Sequence, residues 1–276
     1  KDQAWYDKQV EILDAVTVAQ EIDIDYNASV EGVIIPSAWV QSAIDAHVKL
    51  GIEPSGERRG AFDVADEGKD KNAFSSCKGI VIDHCDIWSG KDSDIYESVV
   101  KVMNTSYELG CDDTFFDSDG LGAGCRGDAK KVNEARSKEN KPPVKMTAYR
   151  GSEGVIYPDK VFMKDASGRP ILNKDMFYNY KAQAWWHLRS LFLNTHRAVQ
   201  GMAYDADEII SISSRLKNIA MLKSELSQAT YKKNQTGKIL VDKKPDGAPS
   251  PNAADSVVIL MAPRKRPFRI TEEDLR

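Results

Sequence analysis

Long apolar runs are missing from this chain. The longest, Val257 to Ala262, falls well short of the roughly 20 residues a membrane-spanning helix needs, so no membrane partner is expected. Cysteine is scarce too: Cys77, Cys85, Cys111 and Cys125 are the full set, and no two have the spacing of a zinc or redox dithiol motif. They read as reduced, structural thiols of an intracellular protein. Of the few histidines, His187 and His196 fall on an apolar helical stretch and read as structural, and no Ser/His/Asp arrangement is evident. The G-x-x-x-x-G-K-[ST] phosphate loop is absent, so ATP hydrolysis is not expected of these residues. The opening Lys1-Asp-Gln-Ala-Trp5 has neither a signal-peptide core nor an initiator Met, which gives the expectation of a piece of a longer protein.

What is present is enough to build a core. A hydrophobic fraction of 41% and a charged fraction of 29% over 276 residues describe an ordinary globular chain with one large domain or two modest ones. The net charge of -4 conceals an uneven distribution. Acids gather between Asp63 and Asp119. Bases gather from Lys130 and Lys131 to Lys145, at Lys232, Lys233, Lys238, Lys243 and Lys244, and at Arg264-Lys265-Arg266. An enzyme that holds cations and also grips a phosphate backbone would show both signs in separate patches. Solvated surface faces would do the same for any single run.

Read in order, residues 1 to about 22 form a loosely helical lead-in. Val33 to Pro36 then precedes a helix over Ala38 to Leu50, with Ser37 as its N-cap. Gly60–Ala65, Ala73–His84 and Cys85–Ser89 read as an antiparallel meander. Asp94 and Glu97 have capping-box spacing before a helix that Gly110 stops. A strand Asp113–Phe116, a glycine loop, a helix Asp128–Arg136 and a strand Val144–Tyr149 follow. Residues 150–176 read as irregular, about Tyr178 to Val199 as a long helix, and Asp205–Ser227 as a polar helical pair. Ala229–Lys244 reads as a basic hairpin around Asn234-Gln-Thr-Gly237. Ser250 and Pro251 open a last helix, Asn252–Met261. This order predicts an α/β fold with a mixed central sheet and helices packed on it.

Four aspartates carry the chemistry. Asp63, flanked by Phe62 and Val64, is an ionisable acid in an apolar stretch, tolerable in a core only if paired or metal-bound. Asp117 repeats the anomaly after Phe115-Phe116. Asp255 falls in the first turn of the last helix, where the dipole favours a carboxylate, and Asp70 lies in the turn after the first strand. Each alone also reads as an ordinary strand end or turn. Brought together, they would repel one another unless divalent cations neutralised them, the arrangement of metal-dependent phosphodiester hydrolysis. Carboxylate oxygens favour magnesium or manganese over zinc. Gly122-Ala-Gly124-Cys-Arg-Gly127 does satisfy G-x-G-x-x-G. Yet Asp117 and Asp119 before it would face a pyrophosphate, and the next strand ends in Arg150 rather than a ribose-binding acid, so a dinucleotide site is disfavoured. The glycines fit a sharp strand exit or close approach of a phosphate backbone.

Phe62-Asp63-Val-Ala-Asp-Glu-Gly-Lys-Asp70, Phe115-Phe-Asp117-Ser-Asp-Gly-Leu-Gly-Ala-Gly124, Ser250-Pro-Asn-Ala-Ala-Asp255 and the lead-in Asp23 to Pro36 together span most of the chain. They resemble ribonuclease-H-like nucleases and, within them, the nuclease domain of the large terminase subunit of headful-packaging tailed phages. The resemblance implies an endonuclease that cuts concatemeric viral DNA at the start and end of packaging. It assigns Asp63, Asp117 and Asp255 as the catalytic, metal-binding triad and Asp70 as an auxiliary metal ligand, with two magnesium or manganese ions when DNA is bound. Asp66 has no firm counterpart, and Asn252 stands where relatives often carry an acid or histidine. Lys130, Lys131, Lys232, Lys233, Lys238, Lys243 and Lys244 would contact double-stranded DNA. Implied partners are the portal protein, through a flexible tail at 264–276, the small terminase subunit and an ATPase domain joined through a connector at 1–50. The nuclease would occupy 51–263, and the setting would be the host cytoplasm. The rival readings are a non-catalytic module docking a motor to a portal, and a recombination or transposition nuclease of the same fold.

Overall fold

The computed structural model describes residues 32–65, 70–90, 94–165 and 167–265; Asp66 and all but the first two residues of the expected tail lie outside them. At its centre is a six-stranded mixed sheet. Its strands are β1 (Arg58–Asp63), β2 (Lys71–Lys78), β3 (Val81–Ser89), β4 (Asp113–Asp117), β5 (Met146–Tyr149) and β8 (Ser211–Ile212), in the order β5-β4-β1-β2-β3-β8. β1, β2 and β3 form the antiparallel meander, while β4 pairs parallel with both β1 and β5, and β8 pairs parallel with β3.

Strand alternation decides which helix meets which side chain. Phe62, Phe74 and Phe116 bury against α3 (Ile95–Leu109) and α4 (Cys125–Lys138), in a core with Val102, Met103 and Val132. Their neighbours Ala61 and Phe115 face the other way, into the larger core. That core is built with α1 (Ser37–Ala43), α6 (Tyr180–Val199) and α8 (Asn252–Met261). The expected mixed sheet with helices on both faces is the fold observed. α8 is central: all ten of its residues are buried, the polar Asn252, Asp255 and Ser256 included.

Local chemistry explains the boundaries. Asp94 accepts from the Glu97 N–H at 2.8 Å to start α3, and Gly110, at φ 72°, ends it in the left-handed conformation. The meander turns at Gly79 rather than near Cys85. Gly79 has φ 58°, and a Cβ there would lie 1.9 Å from the Ser55 carbonyl. The expected helix over Ala38–Leu50 is broken into α1 and α2 (Ala46–Lys49), because Ile44 bridges to Ile212 and the Asp45 N–H bonds the Ile212 carbonyl at 2.8 Å. Ser37 is the first helical residue, and Pro36 holds the cap position without a side-chain bond.

Three further expectations are corrected. Residues 150–176 contain a hairpin, β6 (Val161–Lys164) with β7 (Pro170–Leu172), and a short helix, α5 (Asn173–Met176). Asp205–Ser227 holds one helix, α7 (Ile219–Leu226), and its Ile209–Ile212 run instead enters the core and supplies β8. Ser250 does not cap α8; the Glu225 carboxylate of α7 takes the Ala254 N–H at 3.1 Å. The described part of the expected connector packs as core, with Ile34, Ile35 and Trp39 buried. Arg264, at the start of the expected tail, stacks 3.5 Å over the Phe115 ring. The basic hairpin forms as read, from β9 (Thr230–Lys233) and β10 (Ile239–Asp242). Its turn is held by Asn234 Oδ1, which accepts from Thr236 and Lys238 N–H groups. Among the described residues no helix is long and apolar enough to cross a membrane.

Candidate active site

Period-two alternation puts Asp63 on the face of Ala61 and Asp117 on the face of Phe115, which is the face that carries α8. The parallel register pairs Phe62 with Phe116, so the next residues, Asp63 and Asp117, end neighbouring strands side by side. Asp255, in the first turn of α8, lies near enough to raise the Asp63 carboxyl electrostatically. Asp63 and Asp255 are only 8% and 6% exposed. Ser256 ties α8 to β2 through a 2.7 Å bond with Ser75.

Burial, then Asp255 and Asp117, push the Asp63 carboxyl well above the usual carboxylate range, against the opposing pull of Lys243 and Lys181. Burial is also the main cause raising Asp117, relieved in part by the Asp119 N–H it accepts at 3.0 Å. Lys243, just past β10, ion-pairs with Asp255. Burial alone would lower its ammonium, but Asp255, Asp63 and Asp117 outweigh that and raise it. The ammonium is thus the resident cation of an acidic site. Among the described residues no three acidic, His or Cys side chains converge as a ready cation cage. The donor set nevertheless fits a hard divalent cation: carboxylate oxygens, with the charged forms of Asp63 and Asp117 disfavoured by burial.

The other sequence-derived residues are spread more widely. Asp70 is exposed, 3.4 Å from Lys244, outside the buried cluster. Asp119 is engaged by Ser152, through its N–H at 2.9 Å and its hydroxyl at 2.6 Å. Lys232 and Lys233 are exposed on the hairpin that leads into the cluster. Lys238 is half-buried beside its turn. Lys130 and Lys131 lie on α4, across the sheet from α8, near Glu134 at 4.0 Å and Asp128 at 3.0 Å. Lys243 belongs to the centre of the site rather than its rim.

Two neighbours escaped the sequence reading. Lys181, in the first turn of α6, bears electrostatically on both Asp63 and Asp117, and its stem packs against Gly151. Tyr149 pairs with Asp117 across β5. Its hydroxyl is buried without a hydrogen-bond partner, and burial, Tyr180 and the nearby acids raise its pKa. Neither carries a local motif. Gly122 reveals its role only in three dimensions: a Cβ there would lie 1.7 Å from the Asp117 carbonyl, so the glycine gives the strand its sharp exit.

A mixed sheet whose parallel strands β1 and β4 end in a buried and a half-buried carboxylate, with a helix on the same face bringing another, defines a ribonuclease-H-like nuclease fold. No protein-family model and no curated protein sequence matches the chain. Solved structures do. The nuclease domain of the large terminase subunit gp2 of bacterial virus Sf6 is 30% identical, with a TM-score of 0.73, over 84% of this chain and 99% of that one. A point mutant of the Sf6 large subunit with calcium is 31% identical, with a TM-score of 0.72, over 83% and 98%. A mutant Sf6 nuclease domain with manganese and beta-thujaplicinol matches at 30% and a TM-score of 0.73, over 84% and 99%. The chain belongs to the nuclease domains of phage large terminase subunits.

Proposed function

We propose that this domain is a metal-dependent endonuclease that cuts concatemeric viral DNA during packaging, with Asp63, Asp117 and Asp255 holding the metal. The observation that carries the reading is that Asp255 and Asp117 both bear electrostatically on the buried Asp63, with the Lys243 ammonium, ion-paired with Asp255, partly compensating them. The manganese and calcium in the Sf6 structures support divalent ions as the natural occupants. Bound there, magnesium or manganese, as two ions once DNA is present, would activate a water and stabilise the departing 3′ oxygen.

The chain's own residues do the rest. Asp63, raised by burial and by two neighbouring acids, is the ligand that gains most from a cation. Lys243 ion-pairs with Asp255, and with the carboxylates holding a divalent ion its ammonium would be available to the scissile phosphate. Lys232, Lys233, Lys238 and Lys244 line the approach from the hairpin and grip the duplex backbone without reading sequence. Lys130 and Lys131, across the sheet, would serve a longer stretch of duplex. Asp70 is an auxiliary ligand that would need the turn after β1 to draw inward.

In the full-length setting the domain would act in the host cytoplasm beside an ATPase domain, the small terminase subunit and a portal reached through 264–276. Mapping the ends of cleaved DNA tests the reaction class. Hydrolysis leaves free 5′-phosphate and 3′-hydroxyl ends, whereas joined products from a DNA-end substrate would replace it with strand transfer.

A further inference from the structure

Away from the acids, β6, α5, α6 and the segment after α8 line a cavity of about 740 Å³, within the range of small-ligand sites. Tyr157, Lys160, Phe162, His187, Glu208 and Arg264 are among its walls. Its charge balance is unusual. Arg264 donates to the Ile259 and Leu260 carbonyls at 3.0 and 3.1 Å, and no carboxylate pairs with it among the described residues. Burial first, and then the like charge of Arg59, lower it to about 10. His187 feels Lys160, Arg264 and Arg59 together, after burial itself. Glu208 is the one acid in the wall. Arg264 is half-buried and Lys160 stands exposed at the rim, so the cavity pairs two cations with a single acid and its deficit is of negative charge.

The cavity wall is also a held conformation. Tyr157 has φ 47°, a strained setting for a ring-bearing residue. Two buried amides maintain it: Asn173 donates to the Ile156 and Tyr157 carbonyls at 3.3 and 3.0 Å, and Gln183 accepts from and donates to Ile156 at 2.8 and 3.1 Å. The Tyr157 ring stays 42% exposed beside Lys160.

We propose that this cavity binds a phosphoryl group attached to a planar base, with Lys160 and Arg264 facing the oxyanion and Tyr157 and Phe162 flanking the base. A free nucleotide and the 5′-phosphorylated end of a DNA strand share that chemistry.

Calorimetric titration of the whole chain in chelator tests it, using inorganic phosphate, a deoxynucleoside monophosphate and short oligonucleotides with and without a 5′-phosphate. The monophosphate is expected to bind with Kd below about 1 mM. Lys160→Ala should weaken it about tenfold, and Glu208→Gln should tighten it about threefold. Tyr157→Gly, which suits the positive φ, should weaken the monophosphate while leaving inorganic phosphate unchanged. Tighter binding of the phosphorylated oligonucleotide would make the strand end the occupant; equal or tighter binding of the monophosphate would make it a free nucleotide. No monophosphate binding, binding indifferent to Lys160 and Glu208, or binding abolished by Lys243→Ala alone would overturn the proposal.

Discussion

Asp63 is maintained at a cost to the folded state, since burial and two acidic neighbours disfavour its charge. Asp63→Asn should therefore keep or raise the melting temperature while lowering cleavage by roughly a hundredfold or more; paired thermal unfolding and plasmid assays check both. Lys243→Ala should have the opposite stability effect, because it strands Asp255 in the site. A loss of about 3 kcal/mol is expected, recovered by manganese to a greater extent than in the parent protein. Denaturant midpoints with manganese and with chelator measure it. His187 sets a pH dependence. Burial and nearby cations lower it to about 4 from 6.5, so the unfolded chain binds the extra proton between those values. Stability from this group is complete above pH 6.5 and falls as pH drops toward 4, by on the order of 3 kcal/mol at most. His187→Gln should flatten urea-measured stability across that window. The acids were legible because a charge inside Phe-rich strands is an anomaly on its own. Lys243 reads only as one DNA contact in a basic run, since sequence does not show which lysine turns inward to an acid, and Tyr149 and Lys181 are assigned only by register and packing.

At the scale of elements, the strand exit after β4 positions Asp117. Gly122→Ala would drive a methyl group into the Asp117 carbonyl, so the turn must shift and the carboxylate with it. Cleavage should fall at least about tenfold while secondary structure persists, as circular dichroism beside the plasmid assay would show. Long periodic elements such as α3 and α6 were readable from their apolar spacing and caps. β8 was not: two residues carry no period, and Ser211–Ile212 becomes strand only because β3 offers an open edge. The break between α1 and α2 has the same origin, a sheet contact overriding helical propensity. The cap of α8 comes from another helix through Glu225, a relation no local motif encodes.

For the whole molecule, the separation of charge signs becomes a division of labour. Acids gather where β1, β4 and α8 meet, and the hairpin that carries the exposed Lys232 and Lys233 runs on to Lys243 beside them. Duplex affinity should fall steeply with salt, and Lys232→Ala with Lys233→Ala should reduce the slope of log K against log salt by about two. Fluorescence anisotropy with a labelled duplex reads that slope. The family relation rests on agreement over 84% of this chain at 30% identity, and the proposed cleavage rests on Asp63, Asp117 and Asp255. The most direct measurement is conversion of supercoiled plasmid by the purified chain in magnesium, in manganese and in chelator, beside Asp63→Asn. The account predicts nicked and linear products with either metal, none in chelator and none from the variant. Cleavage that persists in chelator, or undiminished in Asp63→Asn, would contradict it.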